Sequence, residues 1–168
     1  ILVVYDSLYG NTEKIALSIA EVYAEQQVRC MPVKGFSASD LTAVNLLVAG
    51  SPTHGGRPSQ GMKDFLNSLP AGSLKNTQAA AFDTGIPVEV KKGFVRFVIR
   101  FFGYASKHIA NALKKNGAAV LAAETFFVLD KEEIVIALLI DRLSLNYLHH
   151  SQVNKKQFCG YIPLNTVP

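Results

Sequence analysis

The 168-residue sequence holds only two cysteines, Cys30 and Cys159. Two thiols so far apart make neither a disulfide framework nor a zinc site, and both are expected to be free in a reducing cytoplasm. Long hydrophobic runs are also missing. The densest, Phe94 to Phe102 and Ile134 to Ile140, fall well short of the roughly 20 apolar residues that a membrane span needs. No secretory signal is present, although the sequence opens on Ile1 without a methionine, which leaves room for a trimmed leader. The formal charge is +4, yet no dense block of lysine and arginine appears, so nucleic acid is not an expected partner. His54, His108, His149 and His150 are dispersed and make no metal-ligand cluster. Gly50-Ser51-Pro52 lacks the G-x-S-x-G turn that would expose a serine nucleophile. Internal repeats, low-complexity tracts and linkers are absent.

What is present is a core. Apolar residues make up 49% of the chain and charged ones 18%, so a single folded domain over 1–168 is expected rather than disorder. Ile1 to Tyr5 reads as a buried strand. Asn11 to Glu25 carries Ile15, Ile19, Val22 and Tyr23 at helical spacing. Gln27 to Val33 predicts a second strand, Ser39 and Asp40 the cap of a short helix, and Asn45 to Gly50 a third strand. Ser51 to Ser59, rich in Gly, Pro and Ser, reads as a loop. A helix over Gln60 to Leu69 follows, then a strand over Thr77 to Phe82 and an irregular stretch from Asp83 to Gly93. Gly103 to Asn116 predicts a helix stopped by Gly117. The fifth strand is drawn over Ala118 to Ala122, interrupted, and resumed at Phe126 to Leu129. Strands alternating with helices through short connections predict an α/β fold with a parallel sheet between two helical layers.

The chemistry concentrates in Tyr5-Asp6-Ser7-Leu8-Tyr9-Gly10-Asn11-Thr12, where a strand ends and a helix begins. A helix N-terminus offers free N–H groups and a favourable dipole to an anion. Ser7, Asn11 and Thr12 add side-chain donors, and Gly10 lets the backbone approach closely. The loop has no lysine, unlike a P-loop, and no G-x-G-x-x-G, so neither a nucleoside triphosphate nor a dinucleotide is indicated. A phosphate monoester suits such a ring of uncharged donors.

This segment resembles the N-terminal signature of the flavodoxin family at Val3, Val4, Tyr5, Ser7, Gly10, Thr12, Ala16 and Ile19. The resemblance implies a three-layer, doubly wound parallel five-stranded sheet of order 2-1-3-4-5. Flavodoxins are themselves the standing example of that order, with flavin mononucleotide (FMN) at the switch point between the first and third strands. The loop Ser51-Pro52-Thr53-His54-Gly55-Gly56 is similar to a second family loop. By that likeness Pro52, Thr53, His54, Gly55 and Gly56 contact FMN, with His54 against the ring and Gly55 supplying an adaptable peptide. Asp83, Thr84 and Gly85 open the third loop, where the backbone N–H groups of Thr84 and Gly85 are expected at the ring edge. Phe82 is read as the last core residue of its strand. With Ser7, Leu8, Tyr9, Gly10, Asn11 and Thr12, these are the expected cofactor residues.

The likeness covers about residues 1 to 130. Beyond it, Ile134 to Ile140 is apolar on every side, which suits an oligomer contact or a poorly packed tail. Phe94 to Phe102, with Arg96 and Arg100 four apart, suits either packing on the domain or contact with a membrane surface. The resemblance implies a cytoplasmic electron-transfer protein serving redox partner proteins or a small-molecule acceptor. An NAD(P)H:quinone or flavin reductase of the same fold, or a flavin-free interaction protein, are the alternatives. His54 and Arg57 make the second loop basic, which is expected to favour two-electron transfer.

Overall fold

The computed structural model describes residues 1–85 and 104–127. Five parallel strands form the sheet: β1 (Leu2–Tyr5), β2 (Arg29–Pro32), β3 (Leu46–His54), β5 (Gln78–Gly85) and β6 (Ala119–Phe127). Their order is β2-β1-β3-β5-β6, and a two-residue strand, β4 (Arg57–Pro58), pairs antiparallel with the end of β3. The five main strands therefore follow the expected 2-1-3-4-5 order. Among the described residues three α-helices pack on them: α1 (Asn11–Val22), α2 (Gln60–Ser68) and α3 (Ala105–Lys115).

The layers follow from which residues each strand turns to which side. Val3, Tyr5, Val48 and Phe82 face α1 and bury Ile15, Ala16 and Ile19. Val4, Leu47, Ala49 and Ala81 face the other way and bury Met62 and Phe65 of α2 with Ile109 and Leu113 of α3. A strand covered on both faces must be apolar at every position, which is why Leu2 to Tyr5 shows no alternation. Full burial of each large aliphatic side chain contributes about 1.5–3 kcal/mol, so these two clusters hold the sheet.

Several boundaries differ from the sequence reading. Helix α1 ends at Val22, because Ala24 to Gln27 present no apolar side chain to the sheet and the chain turns through a Gln26 N–H to Tyr23 carbonyl bond of 2.8 Å. Edge strand β2 spans only four residues, and Val33–Gly35 winds into a 3₁₀ turn after Pro32. In the short helix Ala38–Leu41 it is Ser37, not Ser39, that stands at the N-cap, and Asp40 reaches back to accept its N–H at 2.8 Å. The expected break between Ala122 and Phe126 is absent, since Ala123, Glu124 and Thr125 pair with Ala81, Phe82 and Asp83; the irregularity lies earlier, where Ala79 pairs with Val120 and Ala80 with Ala122 and Leu121 bulges out of one continuous strand. Gly117 stops α3 as expected. It adopts φ +101°, and the Ala118 N–H reaches the Leu113 carbonyl at 3.1 Å. Phe94 to Phe102, Ile134 to Ile140, Cys159 and the strand end at Leu129 lie outside the described residues.

Candidate functional site

The first loop runs from the end of β1 to Asn11, the first residue of α1. Gly10 stands at the N-cap with φ +82°, a left-handed conformation that favours glycine. Among the described residues no side chain caps α1, so its first N–H groups keep their donor capacity. The Ser7 hydroxyl oxygen is buried and has no hydrogen-bond partner among the described residues. Thr12 is buried, and its hydroxyl lies 2.9 Å from that of Thr84. Asn11 is half-buried, whereas Leu8 and Tyr9 turn outward at 57% and 86% exposure. Leu8 and Tyr9 can therefore offer a ligand their main chain or a rim, not an enclosing side chain.

The second loop is not irregular. Strand β3 continues through Ser51 to His54 and folds back as a hairpin onto β4, pairing Thr53 with Pro58 and His54 with Arg57. Gly55 and Gly56 are the two turn residues, with φ of +55° and +80°. Two consecutive positive φ values are what a tight hairpin of matching twist requires. His54 is exposed beside the turn. The hairpin is tied to the first loop by a buried chain of hydroxyls. Ser59 donates from Oγ to Asp6 Oδ2 at 2.5 Å, Ser51 Oγ donates to Ser59 Oγ at 3.1 Å, and the Ser59 N–H donates to Ser51 Oγ at 2.9 Å. Ser59 also caps α2, accepting the Met62 N–H at 3.3 Å.

Asp83, Thr84 and Gly85 lie within β5, not in a loop; all three pair with β6, and Asp83 and Thr84 also pair with β3. This corrects the expected strand end at Phe82. Flanking strands hold the Asp-Thr-Gly run extended despite its turn-like composition. Phe82 is core as expected, edge-on to Phe126 at 5.9 Å and lying over Gly50. Asp83 is fully buried. Its Oδ2 accepts the Thr53 hydroxyl and the Ser106 N–H, the latter at 3.2 Å, while Thr53 Oγ1 accepts the Ala105 N–H at 3.0 Å. Asp83 Oδ1 has no hydrogen-bond partner among the described residues. Burial pushes the Asp83 carboxyl above its ordinary value, against the opposing pull of the donors around it, the Thr53 hydroxyl foremost.

The structure thus gathers the three expected segments at the C-terminal ends of three adjacent strands, β1, β3 and β5. Thr12–Thr84 joins the first to the third, Asp6–Ser59–Ser51 the first to the second, and Thr53–Asp83 the second to the third. The sequence reading missed Asp6, Ser51 and Ser59 as structural ties. A serine directly before the periodic α2 segment was the available signal for Ser59. It also missed Tyr104, which packs on Gly85 and meets Phe127 edge-on at 5.5 Å. A cleft of about 530 Å³ lies at the opposite edge of the sheet, lined by Ile1, Gln27, Arg29, Thr42 and Asn45 among others, and shares no residue with the three segments. Among the described residues no helix is long and apolar enough to cross a membrane, and no group of three metal-ligating side chains occurs.

The arrangement has counterparts of known structure. An archaeal flavodoxin superposes with a TM-score of 0.62 at 20% identity, over 76% of this chain and 82% of its own. Oxidised flavodoxin 2 from Bacillus cereus superposes with a TM-score of 0.61 at 22% identity, over 90% of this chain and 97% of its own. Two-electron reduced Megasphaera elsdenii flavodoxin gives 0.58 at 19% identity, over 74% and 84%. At these identities the likeness speaks for the fold. No curated protein sequence matches the chain. The family model described as Flavodoxin matches residues 3–143, most of the sequence. On that match, and on the strand order and converging loops that accompany it, the chain belongs to the flavodoxin family of flavin-binding electron-transfer proteins.

Proposed function

We propose that the flavin is FMN, held with its phosphate at the N-terminus of α1, and that the protein carries electrons between redox partners in the cytoplasm. The observation that supports this most is the start of α1, uncapped among the described residues, beside the buried Ser7 hydroxyl that has no partner among them. Buried hydroxyls are almost always hydrogen-bonded, so an orphan at a helix N-terminus fits an anionic acceptor. Ser7, Asn11, Thr12 and the backbone of Leu8, Tyr9 and Gly10 would grip the phosphate. Because no lysine enters the loop, the donors suit one phosphate group better than a chain of them. Pro52 to Gly56 would lie against the ring, with the exposed His54 at its face and the Gly55 peptide near its reactive nitrogen. Thr84 and Gly85 would stand below the ring edge. Asp83 belongs to this set through what it holds: its carboxyl is turned to Thr53 and α3, so it fixes the base of the hairpin.

Bound FMN supplies one- and two-electron redox chemistry, and the protein tunes it. His54 and Arg57 make the hairpin basic, and a basic group at the ring favours extra negative charge there. The two-electron potential is therefore expected to be less negative than in an acidic flavodoxin.

The visible spectrum of the purified protein, with the released cofactor identified, tests the cofactor. Titration of the apoprotein should show FMN binding at micromolar concentration or tighter and riboflavin binding more weakly. Colourless protein that takes up no FMN would overturn the proposal. Steady-state oxidation of NADH in the presence of a quinone would replace the carrier reading with a reductase.

A further inference from the structure

Glu13 is the third residue of α1. A glutamate at this position ordinarily reaches back to the N-cap N–H, and the helix dipole favours a carboxylate in the first turn. In α1 such a glutamate would fill the helix mouth with the protein's own negative charge.

The side chain goes elsewhere. Tyr5, the last residue of β1, donates its hydroxyl to Glu13 Oε1 at 2.6 Å. Tyr5 is nearly buried, and its phenol is raised far above its ordinary value, by burial first and by Glu13 next. It therefore remains a donor at any physiological pH. Cys30, on neighbouring β2 and packed in the same cluster as Tyr5, also feels this carboxylate. Its thiol is pushed up to about 11, by burial first and then by the charge of Glu13. Tyr5 and Cys30 thus place the Glu13 carboxylate on the β1–β2 side of the helix.

We propose that Tyr5 is a positioning residue whose hydroxyl draws Glu13 away from the start of α1 and keeps that end open for a phosphate monoester. The inference rests on the reading of α1 as the phosphate site. It assigns selectivity for FMN over riboflavin partly to a residue that touches neither.

Tyr5→Phe, Glu13→Ala and the double variant separate this from a merely structural role. FMN and riboflavin are titrated into each apoprotein by fluorescence quenching. Tyr5→Phe should weaken FMN binding about tenfold, the scale of a like charge brought near the phosphate, and leave riboflavin unchanged. Adding Glu13→Ala should restore wild-type FMN affinity. In the apoprotein, the Gly10 and Asn11 amide resonances should shift in Tyr5→Phe and return in the double variant, a readout that needs no flavin. Equal losses for FMN and riboflavin, or failure of Glu13→Ala to rescue, would overturn the inference. So would unmoved amides, or FMN affinity unaltered in Tyr5→Phe, and in these cases the phosphate site itself would stand. Wild-type protein that binds FMN no better than riboflavin would instead overturn the phosphate reading, and the inference with it.

Discussion

Helices α1 and α3 begin at the same edge of the sheet, and the protein treats the two beginnings in opposite ways. At α3 the N–H groups of Ala105 and Ser106 are taken by Thr53 and Asp83, side chains from two other strands. At α1, among the described residues, no side chain caps the helix, Glu13 is turned aside, and a buried serine hydroxyl has no partner. Both helices carry the same partial positive charge at this end. The second turns it to holding the β3 hairpin against β5, whereas on the proposed reading the first keeps it for a ligand. The comparison teaches that a helix start marks an anion site only when the protein has left it unanswered.

The sharpest way to break this contrast is to answer α1 from within. Ser7→Asp puts a carboxylate at the open helix mouth. FMN affinity should fall at least about a hundredfold, roughly 2.7 kcal/mol, while thermal stability holds or rises. Unchanged affinity in a fluorescence titration would show that the phosphate sits elsewhere. The next test opens α3 instead. Asp83→Ala leaves the Thr53 hydroxyl and the Ser106 N–H without their acceptor and should cost about 2–3 kcal/mol in urea unfolding, with a smaller effect on FMN than Ser7→Asp has. The same carboxyl carries a pH signature. Its value is raised in the folded state, so folding takes up a proton. Its contribution is complete below about pH 3.9, the ordinary aspartate value, and is lost as pH rises through the raised one. Relative to Asp83→Asn, the wild type should thus lose stability with rising pH over that window, and parallel profiles would refute the assignment. Least in size, Thr53→Val removes the Ala105 cap and should cost about 1 kcal/mol, with faster hydrogen exchange at the Ala105 amide and the α1 amides unaffected.

The first strand and the loop that opens α1 were legible because both are written locally, whereas the strand order came from the family resemblance. Leu2 to Tyr5 is apolar throughout, α1 repeats its buried residues at helical spacing, and Gly10-Asn11-Thr12 marks the start of that helix. Strand ends were less legible. Asp83-Thr84-Gly85 and Thr53-His54-Gly55 have the composition of turns, and it is pairing with neighbouring strands that keeps Asp83, Thr84, Thr53 and His54 extended. Leu121 gave no sign of a bulge, since an extra residue in one strand is defined only against its partner. Least legible were the ties between loops. Thr12 and Thr84 are 72 positions apart and Thr53 and Asp83 are 30 apart, so no window on the sequence contains both partners. The role of Tyr5 escaped for a different reason: its aromatic ring already accounted for the position as core, and nothing in the pattern distinguished a tyrosine there from a phenylalanine.

The contact between Gly50 and Phe82 carries a consequence for how this sequence can drift. A β-carbon at position 50 would fall within 2.0–2.4 Å of three carbons of the Phe82 ring, itself wedged against Phe126. The two positions sit side by side on adjacent strands and occupy one volume between them. Among descendants of this chain, a side chain can enter at 50 only where the ring at 82 has already been given up. The pair should be inherited as a unit, whatever becomes of the loops above it.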